Sequence, residues 1–199
     1  RGRMRQLLDL PHVSMAVGSG TLANDIVAQQ LSGYGLILNG GEFGQRLIDH
    51  AARAGKLFDI HLLPLGHPIN VEQLAHQLNE TKYDWVWLTH CETSTGVLYD
   101  LDAVKELLPQ RTALVVDAIS AVGTGRFSYA GCTFVTTVSG KAIGGLPGLA
   151  FIGHVDRVLP SPSIPRYLDL GLYADGIAFS GSSNLLLACQ AALDALDLD

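Results

Sequence analysis

The sequence predicts an α/β domain built on a mostly parallel sheet with helices on both faces. Short runs rich in β-branched, aromatic and aliphatic residues alternate with amphipathic segments at helical spacing, the order that successive βαβ crossovers produce. Hydrophobic residues make up 48% and charged residues 16%, which is apolar enough for central strands buried on both faces. A length of 199 residues supplies one substantial core and is short for two, so residues 1–199 read as one domain.

The first helix is predicted over 22–31, where Leu22, Ile26 and Val27 recur at helical spacing behind the turn formers Gly18 and Gly20. A strand at 34–38 runs out into Asn39-Gly40-Gly41, and a helix over 44–54 follows. Residues 57–63 read as a strand and 71–78 as a helix, with a Pro/Gly turn between them. The aromatic run 85–89 is a buried strand, 101–108 a helix and 113–116 another buried strand, with further strands at 132–137 and 149–153. The linker-like stretch 160–165, Pro-Ser-Pro-Ser-Ile-Pro, leads through 167–173 into a closing helix over 184–196.

Composition narrows the function. A formal net charge of −6 without any basic run argues against a nucleic-acid partner. Cys91, Cys132 and Cys189 are scattered and lack CxxC spacing, which fits a reducing compartment better than a disulfide framework or a zinc site. The apolar runs fall far below the roughly 18 residues of a membrane span, and Arg1-Gly2-Arg3 leads into no signal-peptide core. A cytoplasmic enzyme or binding protein remains.

In parallel sheets ligands sit at the carboxyl ends of strands, so the motifs are sought there. "GSGTLAND" (18–25) places Ser19 between two glycines with Thr21 opening a helix. Converging amide N–H groups there make a seat for a phosphate, or an ordinary loop and N-cap. It lacks the Walker lysine and the third glycine of a dinucleotide fingerprint. "ALVVDAISAVG" (113–123) puts Asp117 at a strand end, where a carboxylate either caps a turn or meets a cation such as a protonated pyridine nitrogen. "THCETSTG" (89–96) offers His90, Glu92, Thr93, Ser94 and Thr95 in one loop. With no second ligand at metal spacing, His90 points to no metal site, and Cys91 beside it does not define a nucleophilic dyad. In "TTVSGKAIGGLPGLAF" (136–151), Lys141 has no charged neighbour between Arg126 and Asp156. It is either a loop lysine reaching to water or an amine held away from water, where the neutral form condenses with carbonyls.

Phosphate nest, polar loop, strand-end aspartate and lone lysine occur in an order that resembles the class V aminotransferases, pyridoxal-phosphate enzymes of fold type I. The resemblance runs from "GSGT" to "AFSGSSNLLLACQAAL", and its specific motifs are "NGGEFGQR", "HCETSTG", "VVDAISAVG" and "SGKAIGGLPGLAF". The 2-aminoethylphosphonate:pyruvate and alanine/serine:glyoxylate (or pyruvate) subgroups are similar. The resemblance implies pyridoxal 5′-phosphate as cofactor, with Lys141 as the Schiff-base lysine and proton shuttle and Asp117 as partner of the ring nitrogen. Ser19, Gly20 and Thr21 would hold the phosphate, Phe43 and Ile119 would press on the two ring faces, and Thr93 would bond near the ring oxygen. Ser180 would reach the phosphate of a neighbouring subunit, making a homodimer with shared sites. The implied reaction moves an amino group from a small amine or amino acid to a 2-oxo acid such as pyruvate or glyoxylate.

The chain departs from that pattern at Gly140, where relatives carry Gln or Asn before the lysine. The family's N-terminal segment and smaller C-terminal domain, with its substrate-carboxylate arginine, are expected to lie outside these residues, and Arg126, Arg157 and Arg166 match no such position. Two other readings stay open: a catalytically weak binding or partner subunit on the same fold, and a class V lyase. No cysteine on a recognisable mobile loop and no histidine directly before Lys141 supports the lyase.

Overall fold

Helices and strands alternate along almost the whole chain in the computed structural model, which describes residues 2–174 and 179–198. The order is α1 (Gly2–Leu8), β1 (His12–Val17), α2 (Gly20–Gln30), β2 (Tyr34–Asn39), α3 (Glu42–Arg53), β3 (Leu57–Leu62), α4 (Val71–Glu80) and β4 (Trp85–Thr89). A small hairpin follows, β5 (Cys91–Glu92) and β6 (Val97–Leu98), then α5 (Leu101–Leu107), β7 (Ala113–Asp117), β8 (Phe134–Val138) and β9 (Leu149–His154). Two 3₁₀ turns, Arg166–Leu168 and Leu170–Tyr173, precede α6 (Ser183–Ala195).

Among the described residues, seven strands share one sheet in the order β1-β9-β8-β7-β4-β2-β3. Neighbours from β3 to β8 pair in parallel, as the βαβ order requires. β9 runs antiparallel to both β8 and β1. The reason is loop length: residues 139–148 connect β8 to β9 directly, fewer than the dozen or so a parallel crossover needs. β1 and α1 carry no clear signal in the sequence. In β1, His12 and Ser14 interrupt the apolar pattern, and α1 is charge-rich with only Met4 and Leu8 buried.

Side chains alternate between the two faces of each strand, and this alternation divides the core into two layers. Ile37, Trp85, Trp87, Val115, Phe134 and Ile152 pack under α2 and α3 with Ile26, Val27, Leu47 and Ala51. Leu36, Leu38, Val86, Leu88, Val116 and Phe151 pack on the other face with Met4, Leu74, Val104 and Leu193. Every residue of β4 and β9 is buried, the near-continuous apolar run expected of a strand covered on both sides. Each large aliphatic side chain so buried is worth roughly 1.5–3 kcal/mol relative to exposure. Among the described residues, no helix is long and apolar enough to cross a membrane.

Candidate active site

Strands β4 and β7 end beside the amino ends of α2 and α3, around a cavity of about 170 Å³. Of the residues singled out in the sequence it gathers Gly20, Thr21, Phe43, Asp117, Ile119 and Lys141. A larger cleft of about 690 Å³, between α1, residues 125–128 and residues 193–198, holds none of them. Convergence of chemically distinct groups rather than size therefore marks the smaller cavity as the candidate site.

Asp117 closes β7 and pairs in register with Thr89 of β4 and Thr136 of β8, so these three side chains form a polar row on the face covered by α2 and α3. The carboxylate is buried. Ile119 N–H donates to its Oδ1 at 3.0 Å and Asn24 Nδ2 to its Oδ2 at 2.8 Å. Burial pushes the Asp117 carboxyl above the ordinary carboxylate range, and those two donors pull it back. Thr89 lines the same cavity, and its buried hydroxyl has no hydrogen-bond partner among the described residues.

Phe43 reaches the cavity from the first turn of α3. The N-cap of that helix is Gly41, which has no side chain to offer. Glu92 of β5, fully buried, takes its place: its carboxylate accepts Phe43 N–H at 3.1 Å and Gly44 N–H at 2.9 Å. The Ser94 hydroxyl donates to Glu92 and accepts Glu42 N–H at 3.1 Å. Thus the 90–96 loop caps α3 from outside and sets its position. Arg46, one turn on, lies 4.9 Å from the Phe43 ring centroid and also lines the cavity. In the sequence Glu92 is only a polar loop residue, because its capping partners lie almost fifty positions away.

At the start of α2, Ser19 is the N-cap residue, yet its side chain makes no capping hydrogen bond. Gly20 permits a close approach here: a Cβ on it would stand 2.4 Å from Ile119 Cδ1. Lys141 sits in the loop joining β8 to β9. That loop is stapled by buried Ser139, whose hydroxyl donates to Leu146 O at 2.6 Å and accepts Leu149 N–H at 3.3 Å. Gly140 fits because a Cβ there would meet Pro147 Cα at 2.8 Å, so a side chain at that position would require the loop to move. Lys141 itself is exposed at the cavity rim. Exposure matches the first of the two readings the sequence leaves open, a loop lysine reaching to water, and the charge-poor flanks are a turn of glycines and buried apolar anchors.

Three of the singled-out residues stand outside this cavity. Ser19 and Thr93 are exposed, Thr93 in the turn between β5 and β6. Ser180 lies with Phe179 and Tyr167 near β1, just ahead of Ser182, which caps α6 by accepting Leu185 N–H. Asn24, Arg46, His50, Thr89 and Ser120 also line the cavity without a local mark in the sequence, as does Cys91, to which the sequence gives no catalytic role. His90 points elsewhere: its Nδ1 is 2.8 Å from the Tyr129 hydroxyl and its ring meets Phe127 edge-on. Burial pushes its imidazole down to about 4.

No family model matches the chain. It is 34% identical over 145 residues to alanine–glyoxylate aminotransferase 1 of Saccharomyces cerevisiae, a match covering 67% of this chain and 38% of that protein. It is 30% identical over 142 residues to the 2-aminoethylphosphonate–pyruvate transaminase of Pseudomonas entomophila, covering 68% and 39%. The solved structure of a subgroup IV aspartate aminotransferase from Thermus thermophilus superposes with a TM-score of 0.84 at 26% identity, over 98% of this chain and 59% of that one. The chain is related to the fold type I, class V pyridoxal-phosphate-dependent aminotransferase family. Its span is partial, since the matched stretch takes in less than half the length of either curated relative. Within that family, its sheet and flanking helices correspond to the large domain, and the small C-terminal domain is not covered.

Proposed function

We propose that this chain forms the cofactor-binding part of an aminotransferase that holds pyridoxal 5′-phosphate and moves an amino group from a small amine or amino acid to a 2-oxo acid. The donor would be of the 2-aminoethylphosphonate, alanine or serine type, and the acceptor pyruvate or glyoxylate. The observation that carries the reading is the convergence of Lys141, Asp117, Phe43, Ile119 and the start of α2 on one cavity.

The residues present fit the cofactor. A buried carboxylate with two neutral donors and, among the described residues, no cation bonded to it is costly, and a protonated ring nitrogen would meet that need at Asp117. The unpartnered Thr89 hydroxyl gives a further polar group in the same cavity. The first N–H groups of α2 lack intrahelical acceptors and receive no cap from the Ser19 side chain, which leaves them for a phosphate. Phe43 and Ile119 offer apolar contact to a flat ring. When bound, pyridoxal phosphate condenses with amines and draws electrons from the carbon that loses a proton. Lys141 would hold the cofactor through its Nζ and carry the proton at the substrate carbon. Asp117 would keep the ring charged, and Arg46 would supply positive charge to an acidic substrate.

The unpaired state of Cys91, Cys132 and Cys189 supports a cytoplasmic setting. Large exposed apolar side chains, Leu146, Leu159 and Leu187 among them, support a second copy of this chain as partner. Ser180 would then serve a neighbour's site. The exposure of Lys141 favours the reading as a catalytically weak partner subunit, and one experiment separates the two. The purified protein mixed with pyridoxal phosphate should acquire a visible absorption band that candidate amino donors bleach. A stable band that no donor bleaches would favour the partner subunit, and absence of any band would reject the cofactor.

A further inference from the structure

Asn24 stands at the centre of a hydrogen-bond chain that none of the site's assigned roles uses. Its Nδ2 donates to Asp117 Oδ2 at 2.8 Å, and its Oδ1 accepts the Thr136 hydroxyl proton, also at 2.8 Å. Asn24 is 4% exposed, Asp117 8% and Thr136 0%. Thr136 is the register partner of Asp117 on the neighbouring strand, while Asn24 comes down on both from the second turn of α2.

The chemistry of a carboxamide makes this arrangement directional. One end only donates and the other only accepts. With the Thr136 proton on Oδ1, the amino end must face Asp117, which suits an ionised carboxylate. Rotating the amide by half a turn would set two oxygens against each other at Asp117 and leave the amino end to the Thr136 hydroxyl, which can accept as well as donate. The reversed arrangement suits a protonated Asp117 instead. Thr136 therefore supports the observed orientation: its proton on Oδ1 polarises the amide and strengthens the N–H that meets the ionised carboxylate.

We propose that Asn24 and Thr136 are positioning residues, a relay that fixes both the direction and the ionised state of Asp117. The consequence for catalysis rests on the reading of Asp117 as partner of a cationic cofactor ring; the relay itself does not. Other charged or titratable groups near Asp117 are His50 of α3, which favours its ionised form, Glu92 of β5, which opposes it, Tyr129, and Arg46, Cys91 and Lys141 around the same cavity. His50 is itself held by Asp25 at 2.6 Å. All of these stay in place when Thr136 is changed.

The test titrates the Asp117 carboxyl by carbon-13 NMR in the full chain without added cofactor. Thr136→Val removes the hydroxyl at nearly constant volume, and Asn24→Leu removes the amide. Each should raise the Asp117 midpoint by about one unit, because the ionised form loses the Asn24 donor in one variant and the polarisation that strengthens it in the other. Thr136→Ser, which keeps the hydroxyl, should restore the wild-type midpoint. If Thr136→Val fails to fold, Thr136→Ala gives the same reading. Unchanged midpoints in folded Thr136→Val and Asn24→Leu would overturn the relay, as would a Thr136→Ser midpoint equal to that of Thr136→Val. A second arm measures pyridoxal phosphate affinity against pH. Wild-type protein that binds none would reject the functional reading while the NMR result still decides the relay. With binding present, Thr136→Val should weaken it about tenfold near the wild-type midpoint; equal affinity at every pH would count against the relay.

Discussion

Glu92 caps the helix that carries Phe43: its carboxylate accepts the Phe43 N–H at 3.1 Å from across the site, where the helix's own N-cap is a glycine. Because a charged acceptor serves two N–H groups of α3, Glu92→Ala should cost roughly 1.5–3 kcal/mol of stability. It should also loosen cofactor binding by freeing Phe43. Chemical denaturation and a cofactor titration on the same variant check both. Full stability in Glu92→Ala would mean that water caps α3 equally well.

Lys141→Ala should lose the protein-bound visible chromophore and all transamination, while pyridoxal phosphate still docks through its phosphate. Borohydride treatment of wild type followed by peptide mass mapping should find the pyridoxyl group on Lys141. Label on Lys56, Lys82 or Lys105 instead would remove Lys141 from its role.

Asp117→Asn removes the negative charge while keeping the shape, so donor-driven bleaching of the chromophore should slow by orders of magnitude in a protein that remains folded. Stopped-flow absorbance reads this directly. Near-normal rates would mean that the ring nitrogen is not held as a cation.

The buried imidazole of His90 gives a stability signature in pH. Burial holds it at about 4 against an ordinary 6.5. Between those values the unfolded chain binds a proton that the native state refuses, so stability falls as pH drops through the window and levels off below it. Wild type should lose on the order of 3 kcal/mol more than His90→Gln between pH 6.5 and pH 4. Parallel curves for the two proteins in urea would contradict this.

Ser180→Ala tests the shared site. If Ser180 donates to a phosphate bound by a second copy, the variant should bind pyridoxal phosphate more weakly and sedimentation should show a dimer. A monomer with unaltered affinity would confine Ser180 to the turn before α6.

How far the sequence reveals this site depends on the range of the interactions involved. Asp117, Gly20 and Lys141 are legible because each sits next to its own signal: a strand end, a glycine-flanked helix start, a charge-free loop. Asn24 is not, since inside an amphipathic helix an asparagine carries no local mark, and its meaning comes from Asp117 and Thr136, about a hundred positions away. The central strands were read from apolar runs. The edge strand β1 carries no such mark, because His12 and Ser14 break its apolar run. The direction of β9 was missed for a different reason, since a periodicity reading assigns strands without assigning their sense.

The pairing of β1 with β9 also orders events in time. Ser14 and His154 meet across 140 positions of chain. During synthesis the first strand must wait, its hydrogen-bonding edge open, until nearly the whole domain has emerged. A contact of that sequence separation closes late and slowly, so the nascent protein passes through a stage in which His12–Val17 is available to anything else that pairs with a strand. Conditions that stall translation between residues 20 and 149 should therefore yield more aggregate than stalling beyond residue 154.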